Sequence, residues 1–261
     1  MPRRAAAVLP RIGATLDRRA SACPPPALAR LPRISLPDLP HHVLQVGNNR
    51  QAIVVDDVDR EAWRAHLRES SLIAGVDIHA YALMDNHLHL LATPRRGDAA
   101  LSTMMQSLGR RYVAGFNRRH GRSGSLWEGR FRAAVVEPGP ALLAAMRFID
   151  THPQRQHLVA DAAAYRWSSA AHHLGRARDT LLTDPASYWS LGNTPFDREI
   201  AWRRFVDEGV TDADALAQLQ AVRRGWPIGS AAFKQGLALA TGHAAAPRPR
   251  GRPAAAPNSP R

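Results

Sequence analysis

The chain has 261 residues, a net charge of +13 at neutral pH and one cysteine, Cys23. That length holds one domain of ordinary size plus tails. A lone cysteine excludes an internal disulfide framework and a thiolate zinc site. No run approaches the ~18 apolar residues of a membrane span, and no apolar core of signal-peptide length precedes a small-residue cleavage site. A cytoplasmic, reducing setting without membrane attachment is expected. Lys234 is the only lysine, so the charge is nearly all arginine. Such a balance predicts a polyanionic partner, nucleic acid first, although abundant Arg, Ala and Pro together are also what GC-rich codon usage produces.

Residues 1–38 are rich in Pro, Arg and Ala, lack periodicity and are expected to form a disordered basic arm. The folded domain is expected over 39–175. His41 to Gly47 alternates as a first strand, and Asn48-Asn49-Arg50 turns the chain into Ala52-Ile-Val-Val55. Asp56, Asp57 and Asp59 cluster ahead of an apolar periodicity, which predicts a helix over about 58–74 ended by Gly75. Val76–Met84 and His87–Ala92 read as second and third strands around an Asp85-Asn86 turn. A second helix is predicted from Asp98 to about Arg119, with Leu101, Met104, Met105, Leu108, Tyr112 and Phe116 as its apolar stripe. Arg130–Glu137 reads as the fourth strand, and Ala141–Thr151 as a third helix stopped before Pro153. The order β-α-β-β-α-β predicts an α+β, ferredoxin-like split-βαβ fold, an antiparallel sheet with helices on one face. A helical extension is expected over 176–243 and a disordered basic tail over 244–261.

His87-Leu88-His89 lies within the third strand. Residues at i and i+2 share a strand face, so the two imidazoles can grip one divalent cation and leave its other positions open, the layout of a catalytic metal site. On the third helix, stepping about 100° per residue puts Leu142, Met146 and Ile149 on one stripe. Phe148 and His152 fall together on another face, which makes His152 a candidate third ligand. Arg110, Arg111, Arg118, Arg119, Arg122, Arg130 and Arg132 concentrate between the second helix and the fourth strand, where guanidinium groups can grip phosphates. Trp127, in their midst, reads as core. In the tail, Arg250-Gly-Arg252-Pro253 is a flat basic core of the kind that lies in the minor groove of A·T-rich DNA.

Tyr81-Ala-Leu-Met-Asp-Asn-His-Leu-His-Leu-Leu91, Met105-Gln-Ser-Leu-Gly-Arg-Arg-Tyr-Val113, Phe116-Asn-Arg-Arg-His-Gly-Arg-Ser-Gly-Ser-Leu-Trp-Glu-Gly-Arg-Phe131, Met146-Arg-Phe-Ile-Asp-Thr-His-Pro153 and Tyr165-Arg-Trp-Ser-Ser169 together resemble the REP-associated tyrosine transposases. These are a branch of the IS200-like, single-strand HUH transposases. The resemblance implies a metal, Mg²⁺ or Mn²⁺, held by His87 and His89 that polarises a scissile phosphate of single-stranded or hairpin DNA. It also implies a tyrosine nucleophile that becomes a 5′-phosphotyrosine, a polar residue four positions later completing the metal site, and a homodimer acting at the bacterial nucleoid. The nucleophile helix of that family reads Tyr-x-x-x-Asn-Pro, and here it reads Phe148-Ile-Asp-Thr-His152-Pro153. Phenylalanine has no oxygen with which to attack phosphorus. Metal-dependent nicking and joining in DNA transposition is thus one expectation, and hairpin binding without cleavage is the other. Tyr112, and after it Tyr165, are the substitutes the sequence offers for the missing nucleophile.

Overall fold

Alternating side chains over His41-His-Val-Leu-Gln-Val make β1 (His41–Val46), with Val43 on one side and His42 and Leu44 on the other. The structure is a computed structural model describing residues 35–242; most of the expected arm and all of the tail, with Cys23, Arg250 and Arg252, lie outside the described residues. After β1, Asn48–Arg50 form one 3-10 turn. The Ala52–Val55 run makes no strand; it crosses as a loop that buries Ile53 and Val54. Helix α1 (Asp57–Ala74) begins where the Asp56 side chain accepts the Asp59 N–H, and ends at Gly75, whose φ of 65° is left-handed. Strands β2 (Val76–Leu83) and β3 (His87–Pro94) follow as a hairpin, then α2 (Ala100–Arg119) and β4 (Arg132–Val135). The fourth strand is shorter than expected at both ends; beyond it the Glu137 N–H donates to Ile228 O.

The sheet order is β2-β3-β1-β4, with every neighbouring pair antiparallel. β1 and β2 therefore run parallel with β3 between them, the split-βαβ arrangement. Helices α1 and α2 cover one face, over Val43, Tyr81, Leu83, Leu88 and Leu90. The expectation of helices on one face holds for this pair. A further helix, α3 (Pro140–Asp150), packs on the opposite face against Ala80, Ala82, Met84 and Leu91. The rest of the chain adds α4 (His152–Arg155), α5 (Ala170–His173), α6 (Ala186–Trp189), α7 (Pro195–Asp207), α8 (Asp212–Arg224) and α9 (Ala231–Thr241). Of these, α8 packs Leu219 and Val222 on Leu44 and Ala134. The second face of the sheet is thus roofed by α3 and α8. No helix among the described residues is long and apolar enough to cross a membrane.

Candidate metal and nucleic-acid site

Strand register places the histidines. In the β1–β3 ladder Leu44 pairs with His89, Val46 with His87 and His42 with Leu91. Paired residues share a face, so His42, His87 and His89 all lie on the α3 side. Phe148 reaches them from α3. His152 reaches them from the first turn of α4, because the helix breaks at Thr151 and restarts with Pro153 in its first turn, where a missing N–H costs nothing. His87, His89 and His152 each offer a ring nitrogen, all within 4.8 Å of one another.

Their ring nitrogens are sorted by hydrogen bonds. Nδ1 of His87 donates to Oδ1 of Asn86 at 2.7 Å, which leaves the lone pair on Nε2, facing Nε2 of His152 at 2.8 Å. Nδ1 of His89 is held by Nε2 of His42 at 2.8 Å, so Nε2 is the nitrogen His89 has left. Two nitrogens each about 2.1 Å from one ion stand about 3.0 Å apart at an octahedral angle and about 3.4 Å at a tetrahedral one, so the 2.8 Å His87–His152 pair would open by a few tenths of an ångström to hold it. Burial pushes the pKa of His42 and His152 down to about 3 and of His87 to about 4, and His89 well below its ordinary value; among His87, His89 and His152 neighbouring positive charge adds to the effect. All four are neutral at physiological pH, the form a metal requires. Three imidazoles without a carboxylate fit a first-row transition ion; Mg²⁺ prefers oxygen. A second group, His172, His173 and Asp184, also brings donor atoms together, but there both nitrogens of His172 are used internally and only Nε2 of His173 is left without a partner. His172 Nε2 donates to Asp184 at 3.2 Å while Nδ1 accepts the Asp179 N–H, and His173 Nδ1 donates to Asp150 at 2.7 Å.

The Phe148 ring is 1% exposed and lies 5.6, 5.5 and 5.8 Å from the rings of His42, His89 and His152. It belongs to the apolar cluster under α3. The expectation that it stands off the buried stripe is therefore corrected: the site-facing side of α3 is itself buried, because the site lies between helix and sheet. Tyr112 is not brought to the site. It sits in the core on the α1–α2 face, its hydroxyl donating to Ile53 O at 2.5 Å. The Tyr165 hydroxyl likewise donates to Leu83 O at 2.8 Å. Burial raises the pKa of both phenols.

Two residues at the site escape a reading of the sequence. His42 supports His89 from behind, and its partner lies 47 positions away. Arg155 lays its guanidinium 4.3 Å from the Phe148 ring centre, donates to Phe148 O at 2.7 Å and reaches His152 Nδ1 at 3.5 Å. Burial lowers its pKa, and no carboxylate pairs with it among the described residues. A half-buried cation beside a metal-fit triad suits a phosphate oxygen.

The seven arginines divide. Arg119 is committed to Asp56 and Asp59 at 2.6 Å, and Arg111 to Glu69. Arg122 donates to Gln51 at 2.7 Å, and Arg132 to Arg223 O at 2.9 Å. The acids that engage Arg111 and Arg119 come from α1 and its cap. Arg110, Arg118 and Arg130 are exposed and have no carboxylate partner among the described residues. Arg110 and Arg130 border a groove of about 320 Å³ with Gln45, Met105 and Trp127. Trp127 is partly buried against the core.

The buried imidazoles make stability depend on pH. His41, bonded through Nδ1 to Leu39 O, has its pKa lowered by burial to about 4. The unfolded chain takes up these protons near 6.5, and the folded protein resists them until about pH 3 to 4. Between those limits the unfolded state binds more protons, so stability falls as pH falls. For His41 alone the loss is on the order of 3 kcal/mol. The metal-free protein should therefore melt at a steadily lower temperature below about pH 6.5. A melting temperature unchanged down to about pH 4.5 would contradict the burial of these rings.

Residues 35–152 match the family described as "Transposase IS200 like". No curated protein matches the chain. A solved structure of a REP-associated tyrosine transposase bound to a REP hairpin shares 12% identity over 61% of this chain and 93% of its own, with a TM-score of 0.49. A crystal structure from Deinococcus radiodurans R1, of a protein with a provisional transposase name, shares 20% identity over 47% of this chain and 88% of its own, with a TM-score of 0.33. In its split-βαβ sheet and over the segment 35–152, this chain is similar to the IS200-like transposases.

Proposed function

We propose that this protein binds single-stranded hairpin DNA at the His87–His89–His152 site with the help of a divalent transition ion, and forms no covalent phosphotyrosine intermediate there. The observation that carries this reading is the place of Phe148. It occupies the imidazole cage at the position where the resemblance puts the nucleophilic tyrosine, and it has no oxygen. His87, His89 and His152 would hold the ion, and Asn86 and His42 would fix the first two rings. A bound ion would polarise a phosphate P–O bond. Arg155 is placed to hold a phosphate beside it, and Arg110, Arg118 and Arg130 to hold phosphates further along the strand. A homodimer at the nucleoid is the assembly we propose, which sedimentation of the DNA-free protein tests.

Incubation with a single-stranded hairpin oligonucleotide and Mn²⁺ should give binding without a protein–DNA adduct. Strand nicks without an adduct would favour a second reading, hydrolysis by a metal-activated water. Absence of binding would overturn both. Affinity should fall steeply with salt, and replacing Arg110, Arg118 and Arg130 together with alanine should flatten the log–log slope by about 2 to 3. Arg119→Ala should act differently. It strips a partner from Asp59, which is 3% exposed, and should cost about 1–3 kcal/mol of stability with little change in the salt slope. An unchanged slope in the triple variant would reduce those arginines to a solvated surface.

A further inference from the structure

Trp189 ends α6 with its side chain 52% exposed, yet the ring is held in place. Its Nε1 donates to Asp184 O at 3.1 Å. The Arg198 guanidinium lies 4.0 Å from its ring centre, and Arg198, itself 6% exposed, donates to Gly192 O at 3.2 Å. A loose surface tryptophan needs no such fixing. With a cation against one face, the free face is a preformed stacking surface.

Trp189 stands on a cavity of about 720 Å³ between α5, the 175–184 loop, α6 and the start of α7, a size that receives a nucleotide. Its charges are unevenly matched. Asp179 is engaged by Arg64 and Tyr81, and Asp184 by His172. Arg176 and Arg178, both exposed, have no carboxylate partner among the described residues, and neither does Arg198. Glu199, whose carboxylate lies so close over Gly175 that a Cβ there would clash with Oε2, is the lining acid left without a basic partner among the described residues. The aromatic face, the exposed Arg176 and Arg178 guanidinium groups and the Glu199 carboxylate match respectively the ring, the phosphates and the amino edge of an unpaired nucleobase. The cavity is tied to the candidate metal site: His172 lines it, the adjoining His173 bonds Asp150, and Asp150 lies two residues before His152.

We propose that Trp189 and this cavity receive an unpaired, amino-bearing nucleobase from the single strand that flanks the hairpin stem. The proposal rests on the DNA-binding reading above. The test uses the full chain and two oligonucleotides with the same stem, one blunt and one carrying a single-stranded extension. Wild-type protein should bind the extended hairpin more tightly than the blunt one. It should also quench 2-aminopurine placed in the extension, and bind extensions of dA or dC more tightly than dT. Trp189→Ala should weaken binding of the extended hairpin on the order of 5- to 100-fold and abolish the quenching, with the blunt hairpin unaffected. Trp189→Phe should retain most of both. If the wild type binds hairpins but Trp189→Ala binds the extended one equally well, the proposal is wrong and the DNA reading stands. If the wild type binds neither oligonucleotide, the DNA reading itself fails.

Discussion

Phe148→Tyr should convert a protein that forms no covalent link to DNA into one that does. With a single-stranded hairpin and Mn²⁺, the wild type should give no species joined to DNA through a phosphotyrosine, and the variant should give one that survives denaturation and maps to residue 148. The reason is atomic. The ring of Phe148 already lies among His42, His89 and His152 and under the Arg155 guanidinium, so the substitution adds the single missing oxygen to an existing cage. With the free ring nitrogens of His89 and His152 committed to an ion, an ion held there would favour loss of the hydroxyl proton. The position is buried, so a hydroxyl that found no partner would cost about 1–3 kcal/mol, visible as a lower melting temperature. Two outcomes are informative against the assignment. A destabilised variant without adduct would make Phe148 a packing residue alone. A wild-type adduct at Tyr112 or Tyr165 would overturn it, since both hydroxyls are spent on backbone carbonyls away from the triad. Adding His89→Ala to Phe148→Tyr should remove the adduct again, which separates metal-assisted chemistry from adventitious labelling.

What the sequence reveals of this site is what local periodicity can carry. The two-residue repeat of a strand puts His87 and His89 on one face, and the four-residue step of a helix pairs Phe148 with His152, even though the helix is interrupted between them. The β-α-β-β-α-β order likewise follows from local patterns and yields the sheet order observed. Pairings between distant segments do not follow. His42 joins the site only because β1 pairs with β3 in one register, and a shift of one residue would turn it to the other face. The arginine run reads as a single phosphate-binding patch because the acids that neutralise Arg111 and Arg119 lie on α1 and its cap, 42 or more positions earlier in the chain. The burial of Phe148 is hidden for the same reason. A helix packed over a polar site has two buried sides, and an apolar stripe reports only one of them.

Removing metal ligands and their supports should have graded effects on ion affinity, and the grading tests the site more sharply than one deletion. The His87→Ala/His89→Ala double variant should lose calorimetric Mn²⁺ and Zn²⁺ binding, because two of three inward-facing nitrogens disappear. His42→Ala leaves all three ligands in place but frees Nδ1 of His89 from its 2.8 Å partner. Outer hydrogen bonds of this kind hold a ligand's ring and tautomer, and losing one weakens metal binding by roughly 10- to 100-fold. His42→Gln, whose amide can still bond Nδ1, should recover part of that loss. His172→Ala, in the second histidine group, should change nothing, because its nitrogens already serve Asp184 and Asp179. The wild type should also prefer Mn²⁺ or Zn²⁺ over Mg²⁺, since an all-imidazole set offers no hard oxygen. If the double variant binds the ion as tightly as the wild type, the site lies elsewhere. If His42→Ala binds like the wild type while the double variant does not, the triad stands and His42 is only packing. The replacements of His42, His87 and His89 each remove an imidazole whose pKa burial lowers. The metal-free proteins should therefore lose less stability than the wild type as pH falls from about 6.5, because each deletion removes a group that the unfolded state protonates first.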